Sequence, residues 1–210
     1  LQTTLDAKAP LASPALTGTP TAPTAIAGTN TTQVATTAYV VAAVSAVLDP
    51  AGLDYEILLV DDGSRDGTWE EINAASEHKP RVRGVSLSRN FGHQGALLAG
   101  LNHARGKAVV TMDGDLQHPP ESVLELVAAW RDGYKVVNTR RADSVDTSFF
   151  KRFTSRAFYW LFSRLTGVAM DAGSSDFRLL DRDAVQALIR LGDADLFIRG
   201  LVSWLGFHTK

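Results

Sequence analysis

The stretch Ala108 to Pro120, AVVTMDGDLQHPP, constrains the fold more than any other part of the chain. Its first five residues are apolar or β-branched and follow Gly106, which is typical of a short buried strand. The strand is followed by Asp113 and Asp115, two carboxylates parted by a glycine that permits a tight turn. Because a parallel sheet leaves its ligand crevice at the ends of its strands, the pair predicts a site for Mg²⁺ or Mn²⁺ with positions open to substrate phosphates.

An ordinary turn is the alternative explanation of the same residues. Asp-Gly is one of the commonest turn dipeptides, and the second aspartate can cap a following helix. The motif alone leaves both explanations open.

Strand-like and helix-like stretches alternate from residue 55 to residue 139. The predicted strands are Tyr55 to Val60, Val82 to Leu87, Ala108 to Met112 and Lys135 to Thr139. The predicted helices are Trp69 to Ser76, Gln94 to Ala104, and one that starts at Pro119 and stops at Gly133. This alternation predicts an α/β fold, an open and mostly parallel sheet with helices on both faces.

A second acidic turn, DDGS at residues 61–64, follows the predicted strand Tyr55 to Val60. If the two strands are neighbours, this turn lines one cleft with Asp113 and Asp115. A nucleotide diphosphate with its metal suits such a cleft, because carboxylates accept from base or ribose and hold the cation. Two unrelated turns are the alternative.

The charge and residue usage exclude several classes of function. The net charge of -2 gives no general attraction to nucleic acid, so no nucleic-acid partner is expected. The chain contains no cysteine, which excludes a disulfide framework and indicates either a reducing compartment or a fold that needs no disulfides. His78, His93, His103 and His118 fall near predicted element ends, where we expect them to be solvated or to cap.

Residues 1–50 differ in composition from the rest of the chain. Thr, Ala and Pro dominate, and such a segment does not bury enough apolar surface alone to offset its ordering entropy. Thr37 to Leu48 is its one helical candidate. We therefore predict two parts: a low-complexity extended or helical segment at 1–50, and an α/β domain at 51–210.

The sequence of residues 8–48 resembles the Thr/Pro-rich repeats of bacteriophage tail-fibre proteins, for example in KAPLASPALTGTPTAPTAIAG. The resemblance implies a fibrous context, with a homo-oligomer built from copies of the chain. It implies nothing catalytic.

Four ordered motifs mark the rest of the chain: LLVDDGSRDGT, LSRNFGHQGALLAGLNHARG, TMDGDLQHPPE and SSDFRLLDRDAV. With them, residues 54–208 resemble the family 2 glycosyltransferases of GT-A fold, and more narrowly the polyprenyl-phosphate hexosyltransferases. That group includes undecaprenyl-phosphate glucosyltransferases and dolichyl-phosphate mannose synthases. The resemblance implies metal-dependent transfer of a hexose, with glucose favoured, from a UDP-sugar to a membrane polyprenyl phosphate. It also implies the cytoplasmic face of the bacterial inner membrane. A non-catalytic tail-fibre protein of the virion, carrying a transferase remnant, is the alternative.

The resemblance also implies roles for individual residues. Those expected to bind the nucleotide sugar are Asp61, Asp62, Gly63, Ser64, Asp113 and Gln117. Those expected to hold the metal are Asp115, the more direct ligand, and Asp113. Those expected as catalytic residues near the acceptor phosphate are Asp176, Arg178 and Arg140. Because a polyprenyl phosphate is already anionic, Asp176 is expected to orient the acceptor or bind metal rather than accept a proton.

Residues 148–165 combine aromatic side chains on one helical face with Lys and Arg on the remainder. We expect this stretch to be an amphipathic helix in the bilayer interface, which brings the site to a lipid phosphate. Without the family resemblance, the same residues favour an ordinary packed helix whose arginines are solvated. No run of about 18 apolar residues occurs, so no spanning helix is predicted.

The resemblance fails at both ends of the chain. The first strand of the family, with its Pro-x-Tyr/Phe-Asn-Glu turn, has no counterpart before Asp54, and the chain ends at Lys210 before any transmembrane helix. We therefore expect a domain truncated at both ends, fused to a tail-fibre fragment, with its activity at risk. The missing strand leaves two open sheet edges unless residues 38–48 form a strand beside Tyr55 to Val60.

Overall fold

The computed structural model describes residues 37–115, 117–140, 174–191 and 198–210. Its helices are α1 (Thr37–Leu48), α2 (Thr68–His78), α3 (His93–His103), α4 (Ser122–Arg131), α5 (Arg182–Leu191) and α6 (Ile198–Trp204). Its strands are β1 (Ile57–Asp61), β2 (Val82–Ser86), β3 (Ala108–Thr111), β4 (Val136–Arg140) and β5 (Ser174–Asp181). Strands and helices alternate as far as β4, which confirms the α/β prediction.

The strands pair in two groups. β1 and β2 are parallel, in register from Ile57 opposite Val82 to Asp61 opposite Ser86. β5 lies between β3 and β4 and runs antiparallel to both, so β3 and β4 are parallel to each other. The three-stranded sheet is therefore mixed, because β5 runs opposite to its two neighbours, and the sequence pattern did not predict this reversed strand.

Two apolar clusters cover the two faces of the β3–β5–β4 sheet. Val137 and Leu179 pack with α1 and α4, whereas Val136 and Leu180 pack with α3, α5 and α6. Successive residues of a strand point to opposite faces, which is why these neighbours separate into different clusters. Among the described residues, helices thus lie on both faces, as the sequence predicts.

Residues Thr37–Leu48 form the predicted helix, and its residues Val44 and Leu48 join the cluster on α4. The strand considered for residues 38–48 is therefore not formed. Within the described residues, β1 pairs with β2 alone and β3 with β5 alone, so each has one edge without a backbone partner. The division at residue 50 stays a prediction, although α1 shares this core.

The last described residues cover the outer edge of β4. Thr209 forms a parallel bridge with Val136, and the backbone N–H groups of Lys135 and Val136 donate to the carbonyl of His208 at 2.9 and 3.2 Å. The His208 ring stacks on Tyr134 with centroids 4.4 Å apart. These contacts fix β4 beside the central strand of its sheet.

Two predictions concern residues that the structure does not describe. The amphipathic helix of residues 148–165 lies wholly outside them, and so do residues 8–36 of the tail-fibre resemblance. Of the helices that are described, none has the length and apolar character that crossing a bilayer requires.

Candidate active site

The register of the central strand brings two acidic residues together. Thr111 at the end of β3 lies opposite Arg178 of β5. Because the strands are antiparallel, Asp113, two residues after Thr111, reaches the same end of the sheet as Asp176, two residues before Arg178. The hydroxyl of Thr111 donates to the backbone carbonyl of Asp176 and fixes this alignment.

Asp176 is the centre of a cluster of charged side chains. Its residue is only 8% exposed. Arg199 of α6 forms two hydrogen bonds with the carboxylate: Nε donates to Oδ1 at 2.7 Å, and Nη2 donates to Oδ2. Arg178 approaches Oδ1 to 3.5 Å, and His93 Nε2 lies 3.2 Å from Oδ2. One carboxylate therefore faces two guanidinium groups and an imidazole.

Burial opposes ionisation of Asp176, but the hydrogen bonds from Arg199 and the charges of Arg199, Arg178 and His93 outweigh it. The pKa of this carboxyl therefore lies below its ordinary value. Burial also lowers the pKa of the Arg178 guanidinium, against the opposing effect of Asp176. Asp176 is thus a stable anion and a poor proton acceptor at neutral pH.

Two histidines stand beside Asp113. His93, the first residue of α3, has Nδ1 4.0 Å from Asp113 Oδ1, so its ring lies between Asp113 and Asp176. His118 has Nε2 3.9 Å from Asp113 Oδ2, and its ring stacks on Phe177 at a centroid distance of 4.8 Å. His118 is buried, so the expectation that it is solvated or caps an element is wrong. Its ring lies between Asp113, just beyond β3, and the ring of Phe177.

Asp61, at the end of β1, is buried at 3% exposure. Its Oδ1 accepts the backbone N–H of Ser64 at 3.1 Å, and its Oδ2 accepts the hydroxyl of Ser86 at 3.2 Å. The carboxylate therefore closes the acidic turn and ties it to the end of β2.

A cavity of about 390 Å³ opens where β1 and β2 end. Three of the predicted nucleotide-binding residues line it: Asp61, Gly63 and Ser64. Trp69 and two arginines, Arg65 and Arg89, also line it. An aromatic ring, hydroxyl groups and cations in one cleft suit a nucleoside diphosphate.

Asp62 forms hydrogen bonds with the loop that precedes α3. Its two carboxylate oxygens accept the backbone N–H groups of Phe91 and Gly92, at 2.7 and 2.9 Å. It is not among the described residues that line the cavity. Its role as a nucleotide ligand stays a prediction.

The predicted metal ligands lie just beyond β3. The side chain of Asp113 is 37% exposed, and Asp115 is exposed, with Oδ1 accepting the backbone N–H of Gln117 at 3.0 Å. Within the described ranges, no three Asp, Glu or His side chains are grouped to hold a metal ion. Two carboxylates with hard oxygen donors still fit Mg²⁺ or Mn²⁺, because such ions are commonly held by one or two carboxylates and by substrate phosphates.

Comparison with known proteins decides the family. The model for glycosyl transferase family 2 matches residues 35–189, about three quarters of the chain. The chain belongs to this family.

Relatives of this transferase domain extend well beyond it. The glycosyltransferase YkcC of Bacillus subtilis is 44% identical over 77% of this chain and 50% of its own length. The bactoprenol glucosyl transferase of Shigella phage SfV is 38% identical over 74% of this chain and 51% of its own. The chain thus spans about half the length of the curated relatives it matches. A mannosyltransferase from Pyrobaculum calidifontis, solved with GDP-Man and Mn²⁺, resembles it with a TM-score of 0.48 and 22% identity, over 79% of this chain and 49% of that one.

The transferase domain brings some predicted residues together and leaves others apart. Asp113, Asp176 and Arg178 meet at the ends of β3 and β5, whereas Arg140 ends β4 opposite Ser174 and its side chain lies outside the described residues. The metal, nucleotide and acceptor roles of these residues stay predictions.

Sequence reasoning did not select His93, His118 or Arg199. Arg199 is the one cation in the apolar run LFIRGLVSWL at residues 196–205, and a lone charge in such a run is a clue to a buried ion pair. His93 follows directly after Gly92 in the second motif, at the start of the transferase helix α3. Its partners come from β3 and β5, far along the chain, so spacing alone gave no indication of them.

Proposed function

We propose that this family 2 glycosyl transferase moves a glucosyl group from a UDP-sugar to a polyprenyl phosphate. The observation that carries the proposal is the cluster of Asp113, His93, Asp176, Arg178 and Arg199 at one end of the sheet. The relative from Shigella phage SfV, named a bactoprenol glucosyl transferase, supports the choice of glucose and of the lipid acceptor.

The nucleoside of the donor would occupy the cavity at the ends of β1 and β2. Trp69 offers an aromatic face there, and Ser64 with Gly63 offers polar groups for the ribose. Arg65 and Arg89 offer guanidinium groups to a diphosphate, in a lining that also holds the carboxylates of Asp61, Asp66 and Glu70.

A divalent cation, when bound, would neutralise the charge that grows on the departing diphosphate. We propose Asp113 and Asp115 as its protein ligands, with Gln117 beside them. Mg²⁺ and Mn²⁺ both fit this oxygen donor set.

Arg178 and Arg199 are proposed to bind phosphate. The Arg199 side chain is 39% exposed and forms an ion pair with Asp176, and Arg178 stands 3.5 Å from the same carboxylate. Guanidinium groups form strong paired hydrogen bonds with phosphate, and such groups stabilise charge in a transition state when they are held rigidly. Asp176 holds both arginines in place.

The reaction requires no strong base. A phosphate oxygen of the acceptor attacks the anomeric carbon, the bond from that carbon to the diphosphate oxygen breaks, and UDP leaves with the electron pair. Because the attacking oxygen is already anionic, the low pKa of Asp176 suits a residue that positions cations and not one that accepts a proton.

We further propose a peripheral contact with the cytoplasmic face of the bacterial inner membrane through residues 148–165. Such a contact would hold the enzyme at the surface that contains the polyprenyl phosphate. A homo-oligomer, implied by the tail-fibre resemblance of residues 8–48, stays a second proposal and has no part in the chemistry.

The test is direct transfer of sugar to lipid. The chain is incubated with labelled UDP-glucose, undecaprenyl phosphate in detergent and Mg²⁺, and the label is extracted into organic solvent. We expect lipid-linked label from the native chain, a loss of about 100-fold in rate for Arg199→Gln, and no change for Glu77→Gln on exposed α2. Absence of lipid-linked label from a folded native chain contradicts the proposal.

A further inference from the structure

Hydrogen bonds join the acidic turn after β1 to the loop that leads into α3. The carboxylate of Asp62 accepts two consecutive backbone N–H groups of that loop, those of Phe91 and Gly92, at 2.7 and 2.9 Å. Gly63 has φ +69°, and a Cβ on it would stand 2.4 Å from the carbonyl carbon of Arg89. Only glycine permits so close an approach, so the two loops are in direct backbone contact.

The loop before α3 ends directly before His93, which belongs to the charged cluster around Asp176. Gly92, with φ +82°, is followed by His93, the first residue of α3. The His93 ring stands with Nε2 3.2 Å from Asp176 and Nδ1 4.0 Å from Asp113. The placement of this ring therefore depends on backbone that Asp62 holds.

We propose that Asp62 is a positioning residue for the transfer: its carboxylate holds the Phe91–Gly92 backbone and thereby keeps the His93 imidazole between Asp113 and Asp176. The proposal rests on the proposed function. It differs from a direct contact of Asp62 with the nucleoside in that Asp62 is not among the described residues that line the cavity. The other acidic residue of the turn, Asp61, is the one that lines the cavity.

The geometry sets the size of the effect. Hydrogen bonds to an ionised acceptor are the stronger kind in proteins, and two of them hold adjacent residues here. A displacement of about 1 Å in a reacting site can cost about 100-fold in rate. Loss of the Asp62 carboxylate should therefore lower kcat while leaving the nucleoside cavity intact.

The kinetic test compares Asp62→Ala, Asp62→Asn, His93→Ala and the double variant, with Glu77→Ala on α2 as the control. We expect Asp62→Ala to lower kcat about 30-fold with the KM for UDP-glucose within about 2-fold. Asp62→Asn should fall between, because its amide oxygen still accepts one of the two N–H groups. The double variant should be no slower than His93→Ala alone, since Asp62 acts through His93.

Two kinetic outcomes overturn the proposal. A rise in KM with unchanged kcat in Asp62→Ala means that the carboxylate contacts the nucleotide. Additive losses in the double variant mean that Asp62 supports the fold without acting through His93.

A measurement without turnover separates this proposal from the proposed function. In NMR spectra of the full chain, the ring signal missing from His93→Ala identifies His93. Asp62→Ala should shift that signal, and Glu77→Ala should not. An unmoved signal overturns the positioning role whatever the activity. A shifted signal in a chain that transfers no sugar upholds the contact and rejects the proposed function instead.

Discussion

Asp176 shows how a single buried carboxylate organises the site. Arg199 binds it with two hydrogen bonds, and Arg178 and His93 stand within 3.5 Å. Removing the carboxylate takes away the anion that Arg199 and Arg178 both approach. Breaking a largely buried ion pair from one side typically destabilises a protein by about 3 kcal/mol.

The depressed pKa of Asp176 gives this pair a defined pH dependence. A carboxyl whose pKa is lower in the folded state than in the unfolded state stabilises the fold above the unfolded value, 3.8, and loses that contribution as the pH falls through the folded value. We expect the difference in unfolding free energy between the native chain and Asp176→Asn not to shrink between about pH 7 and 5 and to shrink below about pH 3.8. Urea unfolding across this range measures it.

A difference that shrinks already between pH 7 and 5 contradicts the assignment, because it requires a raised pKa for this carboxyl. Asp183→Asn is the matched control, since this residue lies on the exposed side of α5 and pairs only with Lys135 among the contacts described. We expect a small effect from it, of about 0.5 kcal/mol.

The carboxylates of the site and Arg178 were predictable from the sequence, whereas His93, His118 and Arg199 were not. Asp113 follows a strand pattern that ends in an acidic turn, which a reader of the sequence recognises. Arg199 enters the site through the tertiary fold, on a segment without a motif, whereas His118 lies within the motif TMDGDLQHPPE but had no predicted role in the site. The position of Asp62 was also hidden, because the sequence does not show that its carboxylate meets the loop before α3.

Among the elements, β5 and the two helices after it, α5 and α6, were not predicted from the sequence. The β5 residues SSDFRLLD include two charged side chains, Asp176 and Arg178, that are buried in the site and disrupt the apolar run expected of a central strand. Its antiparallel insertion between β3 and β4 depends on long-range pairing, which local patterns do not contain. The strands and helices before it follow hydrophobic periods, and their predicted ends differ from the observed ones by only a few residues.

Helix α1 tests where the folded domain begins. Leu48 is 6% exposed and packs in the cluster that includes Val123 and Leu126 of α4. Because truncating a buried leucine removes apolar contact and leaves a cavity, Leu48→Ala should lower the free energy of unfolding by about 2–4 kcal/mol. Ala46→Ser, on the exposed side of the same helix, should change it by less than about 0.5 kcal/mol.

Denaturant unfolding of the two variants decides between two descriptions of α1. The expected loss in Leu48→Ala makes the helix part of the transferase core. Equal stability of both variants would instead support the predicted boundary at residue 50 and make residues 1–50 a separate segment.

At the scale of the whole molecule, the match to glycosyl transferase family 2 begins at residue 35, so it includes α1 and overlaps the tail-fibre resemblance of residues 8–48. That resemblance stays a prediction, and so does the fusion inferred from it. Within the described residues, the sheet is divided between β1–β2 and β3–β5–β4. The loop from β2 to α3 bridges the two parts through Asp62 and His93.

The central claim is that the acidic ends of β1 and β3 bind one sugar nucleotide together with a cation. Calorimetric titration of the chain with UDP, with and without Mg²⁺, tests this claim without any acceptor. We predict binding that requires Mg²⁺ in the native chain and in Glu77→Gln, and that is lost in Asp113→Asn. UDP binding of equal strength with and without Mg²⁺, or unchanged in Asp113→Asn, would contradict it.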